Sequence, residues 1–374
     1  MKTAPRTALR RYSRHLLIPE VGLEGQNRLL AARILVVGAG GLGSPVLQYL
    51  AAAGVGRIGI VDDDEVDETN LQRQVVYADD DVGRSKAVAA ADRLRAMNPS
   101  VAVDAFPLRF DATNARELVR AYDVVVDGTD NFGSRYLIND ACRLEGKPDV
   151  FGSIFRFDGQ ISVFAADGPC YRCLFPEAPP EGAVPTCAEG GVLGVLAGMV
   201  GTWQANEALK LVLGIGSPLV GRLALLDALQ ARVREFDVLR DSMCALCGDH
   251  PAISDVAPEP PRGTVAPRSD VPEIAAAQLD TFLDEHPQAR VLDVREPHEA
   301  VLGTLPRTLA VPASVFEERL HELDSATPYV VACRVGAKSR WAAQRLWDAG
   351  FRRVHHLEGG LLAYAANAAA FDVF

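Results

Sequence analysis

A glycine-rich turn between an apolar strand and a helix constrains this chain more than any other feature. The glycines stand at positions 38, 40, 41 and 43, after the apolar run 34–37 and before the helical run 45–53. Glycines let a backbone approach phosphate closely, and the following helix offers free N–H groups and the positive end of its dipole. The order predicts an α/β fold whose Gly38, Gly40, Gly41 and Gly43 bind a nucleotide.

A second apolar strand ends at Asp62, nineteen residues after Gly43. In dinucleotide-binding folds an acidic side chain at about this distance meets a ribose hydroxyl. The chain is therefore expected to bind an adenine nucleotide. NAD, FAD and S-adenosylmethionine remain open on these residues alone.

Polar residues beyond Asp62 favour ATP over NAD. Asn70 and Arg73 come next, Lys86 opens an alanine-rich helix, and Asp130 follows a further apolar strand. Hydride transfer needs an apolar nicotinamide pocket, whereas fixed cations suit chemistry that builds charge on a polyphosphate. A carboxylate at the carboxyl end of a strand, such as Asp130, can hold Mg²⁺ together with phosphate oxygens. Arg73 and Lys86 are candidate triphosphate ligands, although single cations of this kind are more often solvated surface residues.

Length and composition describe a large, acidic protein with ample core. At 374 residues, 48% hydrophobic and 23% charged, the chain is expected to hold about two or three domains. The formal net charge of -11 argues against nucleic-acid partners, which need a surplus of Lys and Arg. The arginines near the N-terminus precede no apolar stretch, and the most apolar segment, 190–203, is too short to span a bilayer. We expect a cytoplasmic protein with no membrane contact and a protein partner.

Four of the seven cysteines form two Cys-x-x-Cys pairs, Cys170 with Cys173 and Cys244 with Cys247. Two such pairs can supply the closed tetrahedral thiolate site that structural Zn²⁺ requires. A redox pair and two unrelated core pairs are the alternatives, but neither pair has a thioredoxin-like strand-to-helix setting. The spacing predicts a Zn²⁺ site that stabilises the fold and takes no part in the reaction.

Cys187 lies in a Pro- and Gly-rich segment, residues 175–191, that suits neither helix nor strand. A thiol on such a loop can travel to an acyl group, and an inert loop cysteine is the alternative. Cys142, within a predicted helix, is expected to be core.

A second α/β segment, residues 273–374, follows a proline-rich stretch at 249–272. The prolines predict a semi-stiff tether that lets this segment swing towards the first, residues 1–248, and raises its local concentration there. Cys333 stands between a strand, 329–332, and a helix that begins near residue 337. Converging N–H groups, the helix dipole and the cations at 334, 338 and 340 favour thiolate over thiol. Cys333 is therefore the predicted nucleophile.

From residue 11 to about residue 248, the chain resembles the adenylating domain of the ubiquitin-activating superfamily in its bacterial form, the molybdopterin-synthase adenylyltransferases. The resemblance implies a Rossmann-like fold that activates the C-terminal Gly-Gly carboxylate of a ubiquitin-like sulfur carrier as an acyl-adenylate. It implies that Asp62 holds the ribose, that Asn70, Arg73 and Lys86 hold the ATP phosphates, and that Asp130 holds Mg²⁺.

Further expectations come from the same resemblance. Arg14 corresponds to an arginine that the family supplies from the partner subunit, which makes the active unit a homodimer. The four paired cysteines correspond to a zinc site, and Cys187 corresponds to a reactive cysteine.

The second segment resembles a rhodanese domain, from residues 293–296 through the Cys333 loop to residues 357–360. The resemblance implies a persulfide on Cys333 and a loop that cradles the anion. Asp293 and Arg295 are expected to fix neighbouring loops. Tyr364 stands where the family usually has a tryptophan. After the 293–296 motif, family members often carry a histidine before a proline, and this histidine is missing in the run 302–306, which ends at Pro306.

Together the two resemblances predict an adenylyltransferase and sulfurtransferase that converts the carrier's carboxylate into a thiocarboxylate. Molybdenum cofactor biosynthesis is the leading pathway, with thiamine, cysteine and tRNA thiolation open. The sulfur donor is thiosulfate or a cysteine desulfurase. The alternatives are a carrier-docking scaffold without turnover and a zinc-containing NAD-dependent dehydrogenase.

Overall fold

The computed structural model describes residues 10–178, 191–257, 271–300 and 303–365. The described residues up to 257 belong to one compact unit, and those from 271 onward belong to a second. No helix in these four ranges is both long enough and apolar enough to cross a membrane.

The first unit is built on a sheet of eight strands in the order β3-β2-β1-β4-β5-β6-β7-β8. Its strands are β1 Arg33–Val37, β2 Arg57–Val61, β3 Ala102–Phe106, β4 Val124–Asp127, β5 Asp149–Phe155, β6 Asp158–Phe164, β7 Arg222–Asp227 and β8 Arg232–Asp237. Its helices are α1 Ser13–Leu16, α2 Gly22–Ala31, α3 Gly43–Ala53, α4 Lys86–Met97, α5 Ala115–Arg120, α6 Phe132–Leu144, α7 Tyr171–Leu174 and α8 Gly194–Leu213. The first five strands run parallel, and β6, β7 and β8 continue the sheet antiparallel.

Strand β1 is the centre of the parallel part because residues 34–37 are apolar and buried. A continuous apolar run of this kind suits a strand that is covered on both faces. The chain leaves β1 towards β2 on one side and returns to β4 on the other. Ligands of open α/β sheets bind at the carboxyl ends of the strands at such a switch point.

Residues 249–257, the beginning of the predicted tether, pack against the first unit. The N–H groups of Ala252 and Ile253 donate to Ala245 O at 2.8 and 2.9 Å, and Val256 packs against the core between α5 and α6. The described start of the proline-rich stretch is thus an extension of this unit.

The second unit is a smaller parallel sheet of five strands in the order β11-β10-β12-β13-β9. Its strands are β9 Glu273–Ile274, β10 Arg290–Asp293, β11 Thr308–Ala310, β12 Tyr329–Ala332 and β13 Val354–Leu357. Its α-helices are α9 Leu279–Glu285, α10 Pro297–Ala300, α11 Phe316–Arg319, α12 Ala337–Asp348 and α13 Gly360–Ala365. The central strand β12 is buried along its whole length and ends at Cys333, so the predicted nucleophile lies at the carboxyl edge of this sheet.

Candidate functional site

A cavity of about 300 Å³ lies at the carboxyl ends of the parallel strands of the first unit. The structure brings to it eight of the residues predicted to bind the nucleotide. They are Gly38, Gly40, Gly41, Asp62, Asn70, Arg73, Lys86 and Asp130. Residues that stand far apart in the sequence thus line one opening, as the nucleotide interpretation requires.

The glycine turn and Asp62 are joined directly. The Ala39 N–H donates to one Asp62 carboxylate oxygen at 2.7 Å and the Asp64 N–H donates to the other at 2.9 Å. Burial raises the pKa of Asp62, while both N–H donors and Lys86 oppose the shift. Asp62 therefore stands at the end of β2 as a fixed acceptor beside the turn.

Gly43 has a different place from the other three glycines. It is absent from the residues that line the cavity, and it begins α3 against the carbonyl of Gly38. A Cβ on Gly43 would lie well inside 3 Å of that carbonyl oxygen. The position requires glycine so that the helix can begin against the turn.

Two cations reach the cavity from the segment after β2. The ammonium Nζ of Lys86, a nearly buried side chain, contacts Asp64 at 2.9 Å. Arg73 is half-buried and donates to Thr69 O at 3.1 Å. Asn70 lies one turn earlier and closes the same wall. The segment after β2 thus places two cations at the cavity, beside the carboxylates of Asp63 and Asp64.

The opposite wall is the loop after β4. Asp130 is exposed there, and Asp127 below it is fully buried. One Asp127 oxygen accepts from the N–H and hydroxyl of Thr129 at 2.9 and 2.6 Å. Burial raises the pKa of Asp127, and Arg135 opposes the shift. Asp127 therefore shapes the loop, and Asp130 faces the cavity.

Arg14 does not join this cavity. Arg14 lies exposed on α1 and does not line the opening. Cys187 lies outside the described residues. The predicted roles of both stay predictions.

The two Cys-x-x-Cys pairs meet in the first unit. The Sγ atoms of Cys170 and Cys173 are 3.9 Å apart, those of Cys170 and Cys244 are 3.6 Å apart, and those of Cys173 and Cys247 are 3.2 Å apart. All four sulfur atoms lie within 4.8 Å of one another. Tetrahedral zinc with Zn–S bonds of about 2.3 Å requires thiolates roughly 3.8 Å apart. The cluster is therefore compatible with a zinc site.

Cys333 is buried at the start of the loop between β12 and α12. Its Sγ accepts from the Gly336 N–H at 3.2 Å, the Ser339 N–H at 3.4 Å and the Ser339 hydroxyl at 3.4 Å. Donors that converge on a sulfur at a helix N-terminus stabilise negative charge there. The donors that the sequence predicts around Cys333 thus converge on its sulfur, and an anion-cradling role for the loop stays a prediction.

Charged residues around this loop are paired. Lys338 contacts Glu299 at 2.9 Å and Arg340 contacts Glu273 at 3.2 Å. Asp293 and Arg295 form a buried ion pair at 2.7 Å, and Arg295 also donates to Gly303 O at 2.6 Å. This pair holds the chain after β10 in place, which agrees with the structural role expected for it.

Sequence reasoning gave no role to several residues at the two sites. Arg135 and Gln74 are buried and line the nucleotide cavity, and Ser339 donates to the Cys333 sulfur. Ser339 lies only six residues after Cys333, so its place at the Cys333 loop could have been predicted from the sequence. Arg135 follows Asp130 by five residues on α6, and nothing in that spacing alone indicates that it faces the same cavity.

The fold and the two sites define a class: a doubly wound adenine-nucleotide unit with a thiolate cluster, followed by a rhodanese-type unit with a cradled cysteine. The chain belongs to the ThiF family, whose model matches residues 12–246, and a rhodanese-like domain matches residues 275–367. It is an enzyme of the adenylyltransferase and sulfurtransferase type.

Individual relatives agree with this assignment. The chain is 44% identical over 378 residues to the probable adenylyltransferase/sulfurtransferase MoeZ of Mycobacterium tuberculosis, covering 96% of this chain and 93% of that protein. It is 57% identical over 249 residues to the sulfur carrier protein adenylyltransferase of Thermus thermophilus, covering 65% and 92%. Among solved structures, E. coli MccB with ATP shares the fold with a TM-score of 0.54 at 21% identity, covering 64% of this chain and 73% of that one.

Proposed function

We propose that the protein adenylates the C-terminal Gly-Gly carboxylate of a ubiquitin-like sulfur carrier and then converts it into a thiocarboxylate. The observation that carries the proposal is the convergence of the glycine turn, Asp62, Arg73, Lys86 and Asp130 around one cavity. The relatives support the same activity, since one of them is a sulfur carrier protein adenylyltransferase. Molybdenum cofactor biosynthesis is the pathway that we favour.

In the first step, a carrier carboxylate oxygen attacks the α-phosphorus of ATP, and the bond to pyrophosphate breaks. Asp62 accepts from the ribose hydroxyls, and the glycine turn brings backbone N–H groups to the phosphates. Arg73, Lys86 and Asn70 stabilise the charge that builds on the triphosphate. Because AMP is a much better leaving group than oxide, the adenylate activates the carboxyl carbon.

Two metals fit the residues present. Asp130 is an exposed carboxylate on the cavity wall, and Mg²⁺ usually takes one or two carboxylates together with phosphate oxygens. The four sulfur atoms within 4.8 Å suit Zn²⁺, whose closed site contributes to folding and leaves no position open for chemistry. We assign Mg²⁺ to charge neutralisation and Zn²⁺ to stability.

The second step takes place at Cys333. The terminal sulfur of its persulfide attacks the acyl carbon, AMP leaves, and an acyl disulfide forms between carrier and Cys333. A thiolate, for which we propose Cys187, then attacks the Cys333 sulfur and releases the thiocarboxylate. The resulting disulfide between Cys187 and Cys333 requires a dithiol reductant before the next cycle. Thiosulfate or a cysteine desulfurase restores the persulfide.

We further propose a homodimer in which Arg14 serves the partner subunit's cavity. Arg14 is exposed outside its own cavity, and two exposed apolar side chains, Leu17 and Ile18, follow it at 72% and 44% exposure. A cytoplasmic location suits the reduced cysteines that this chemistry needs.

The direct test is to incubate the protein with ATP, Mg²⁺, thiosulfate and a Gly-Gly-ended carrier, and to weigh the intact carrier. Exchange of one oxygen for sulfur is the expected result. An unchanged carrier while ATP is consumed would show that the protein adenylates the carrier but does not transfer sulfur from thiosulfate. No turnover with any of several carriers would favour the docking scaffold.

Cys333→Ala separates the two half-reactions. The variant should lose sulfur transfer completely and keep ATP–pyrophosphate exchange at the wild-type rate, because the two sites lie on different units. Cys142→Ala is the matched control, since Cys142 is buried in α6 and burial raises the pKa of its thiol well above the usual value. Loss of both activities in Cys333→Ala would contradict this division.

Nucleotide choice is tested by thermal stabilisation. A ligand that binds only the native state raises the melting temperature, and 100 times its Kd contributes about 2.7 kcal/mol. ATP with Mg²⁺ should stabilise the first unit and NAD should not. Stabilisation by NAD alone would favour an NAD-dependent dehydrogenase instead.

A further inference from the structure

A buried histidine lies directly beneath the Cys333 loop. His356 is in β13, is only 1% exposed, and its Nε2 lies 2.9 Å from the carbonyl oxygen of Gly336. A carbonyl oxygen only accepts hydrogen bonds, so Nε2 must carry a proton and donate. The ring therefore links strand β13 to the loop that surrounds the nucleophile.

Gly336 is the residue on which the cradle depends. Its N–H donates to the Cys333 sulfur at 3.2 Å, and its φ of +99° lies in the region that favours glycine. Its carbonyl accepts from the Ser339 hydroxyl at 3.0 Å, from the Arg340 N–H at 3.0 Å and from His356. The first two donors belong to α12 itself. Among the described contacts, His356 ties this carbonyl to the sheet.

The other ring nitrogen of His356 faces a carboxylate. Its Nδ1 lies 3.4 Å from Glu273, the residue beside it on β9, and Glu273 also contacts Arg340 of α12 at 3.2 Å. Burial lowers the pKa of His356 and Arg340 lowers it further, while the Gly336 carbonyl and Glu273 oppose the shift. The charged ring and the neutral ring with its proton on Nε2 both carry the proton that the Gly336 carbonyl requires, so this contact does not depend on protonation of Nδ1.

We propose that His356 is a positioning residue for sulfur transfer: its Nε2–H holds the Gly336 carbonyl, which fixes the backbone torsions of Gly336 and so keeps the N–H of the same residue, on the preceding peptide plane, pointed at the sulfur of Cys333. The inference rests on the proposed role of Cys333 as the sulfur-carrying nucleophile. His356 touches neither the sulfur nor the carrier, and acts through Gly336.

The experiment compares His356→Gln, His356→Asn and His356→Leu in the full chain. Gln can place an amide N–H near the position of Nε2, Asn is polar but too short, and Leu has no donor. His355 provides the matched control, because it neighbours His356 on β13, points to the other face, and packs against Phe282 with ring centroids 4.8 Å apart. His355→Gln and His355→Leu carry the same chemical changes away from the loop.

Two measurements are made on each variant that retains the wild-type melting temperature. One is the rate at which iodoacetamide alkylates Cys333 at pH 7, followed on the Cys333 peptide by mass spectrometry. The other is kcat and KM for sulfur transfer from thiosulfate to cyanide. The alkylation rate needs no sulfur donor, so it tests the inference even if sulfur transfer fails and the proposed function falls.

One hydrogen bond is worth about a two- to tenfold change in rate. His356→Leu and His356→Asn should lower alkylation and kcat by that factor with KM nearly unchanged, and His356→Gln should recover most of both. The two His355 variants should match the wild type. Unchanged alkylation in His356→Asn and His356→Leu would overturn the proposal, as would a His356→Gln variant that is as slow as His356→Asn.

Discussion

Replacing Gly43 with alanine tests most sharply whether the glycine-rich turn requires glycine at the position where α3 begins. The new Cβ would lie inside 3 Å of the Gly38 carbonyl oxygen, and both atoms are held by backbone. Overpacking of this kind costs about 1–3 kcal/mol, and replacing a helical glycine returns about 0.5–1 kcal/mol. Because the clash is with backbone, the upper end of the overpacking cost applies, so the net loss of stability is about 2–2.5 kcal/mol, which corresponds to a fall of roughly 4–10 °C in the melting temperature of a unit of this size.

Gly40 is the matched control because it belongs to the same turn. A Cβ there has nothing closer than the Gln74 side-chain nitrogen at 3.6 Å, so Gly40→Ala should fold with wild-type stability. It lines the cavity, and the added methyl group should weaken binding of ATP. Calorimetry measures both effects, and the transition that ATP with Mg²⁺ raises in the wild type identifies the first unit. An unchanged transition in Gly43→Ala, or an equal fall in Gly40→Ala, would refute the reasoning.

Two further predictions concern stability. Removal of zinc with a chelator should lower the melting temperature of the first unit by more than about 5 °C, since a closed thiolate site contributes folding free energy directly. Added Zn²⁺ should restore the melting temperature, and added Mg²⁺ should not. An unaffected transition would indicate that the cysteines form two unrelated core pairs. Hydrogen bonds from Arg120 and Arg116 lower the pKa of Glu145 from 4.5 to about 2. This carboxylate therefore contributes stability that is complete above about pH 4.5 and is lost as the pH falls towards 2. The melting temperatures of the wild type and Glu145→Gln should converge over that window, and a constant difference would contradict the assignment.

The sequence predicts those parts of the sites in which local order decides the structure. The run of strand, glycine turn and helix around residue 40 depends on apolar burial and glycine freedom within one short segment, and so does the turn that holds Cys333. The two Cys-x-x-Cys pairs could be predicted to form one cluster because a metal site of four thiolates requires this spacing. The structure then placed Asp62 and Asp130 at the same opening, as the order of strands implied.

Residues whose role depends on contacts between distant segments were not predictable in this way. Arg135 reaches the cavity because α6 packs beside β4, and His356 reaches Gly336 because β13 lies next to β12. Neither contact produces a repeating pattern that could be recognised in a single sequence. The packing of residues 249–257 against the first unit was missed for the same reason, because prolines and small residues indicate an extended chain without indicating what it lies against.

The fold itself holds Lys86 in place. Its side chain is 7% exposed and its ammonium group contacts Asp64, which is 69% exposed. Fixing a lysine side chain costs about 1.5–2 kcal/mol of conformational entropy. Here the side chain loses that entropy on folding, so ligand binding does not have to fix it. On the role proposed for Lys86, nucleotide affinity then depends on an exchange of anions at Nζ, in which phosphate oxygens replace an exposed carboxylate. Because one member of the displaced pair is in water, salt should weaken the resting contact, and the net gain on binding should be smaller than the attraction between Lys86 and phosphate alone.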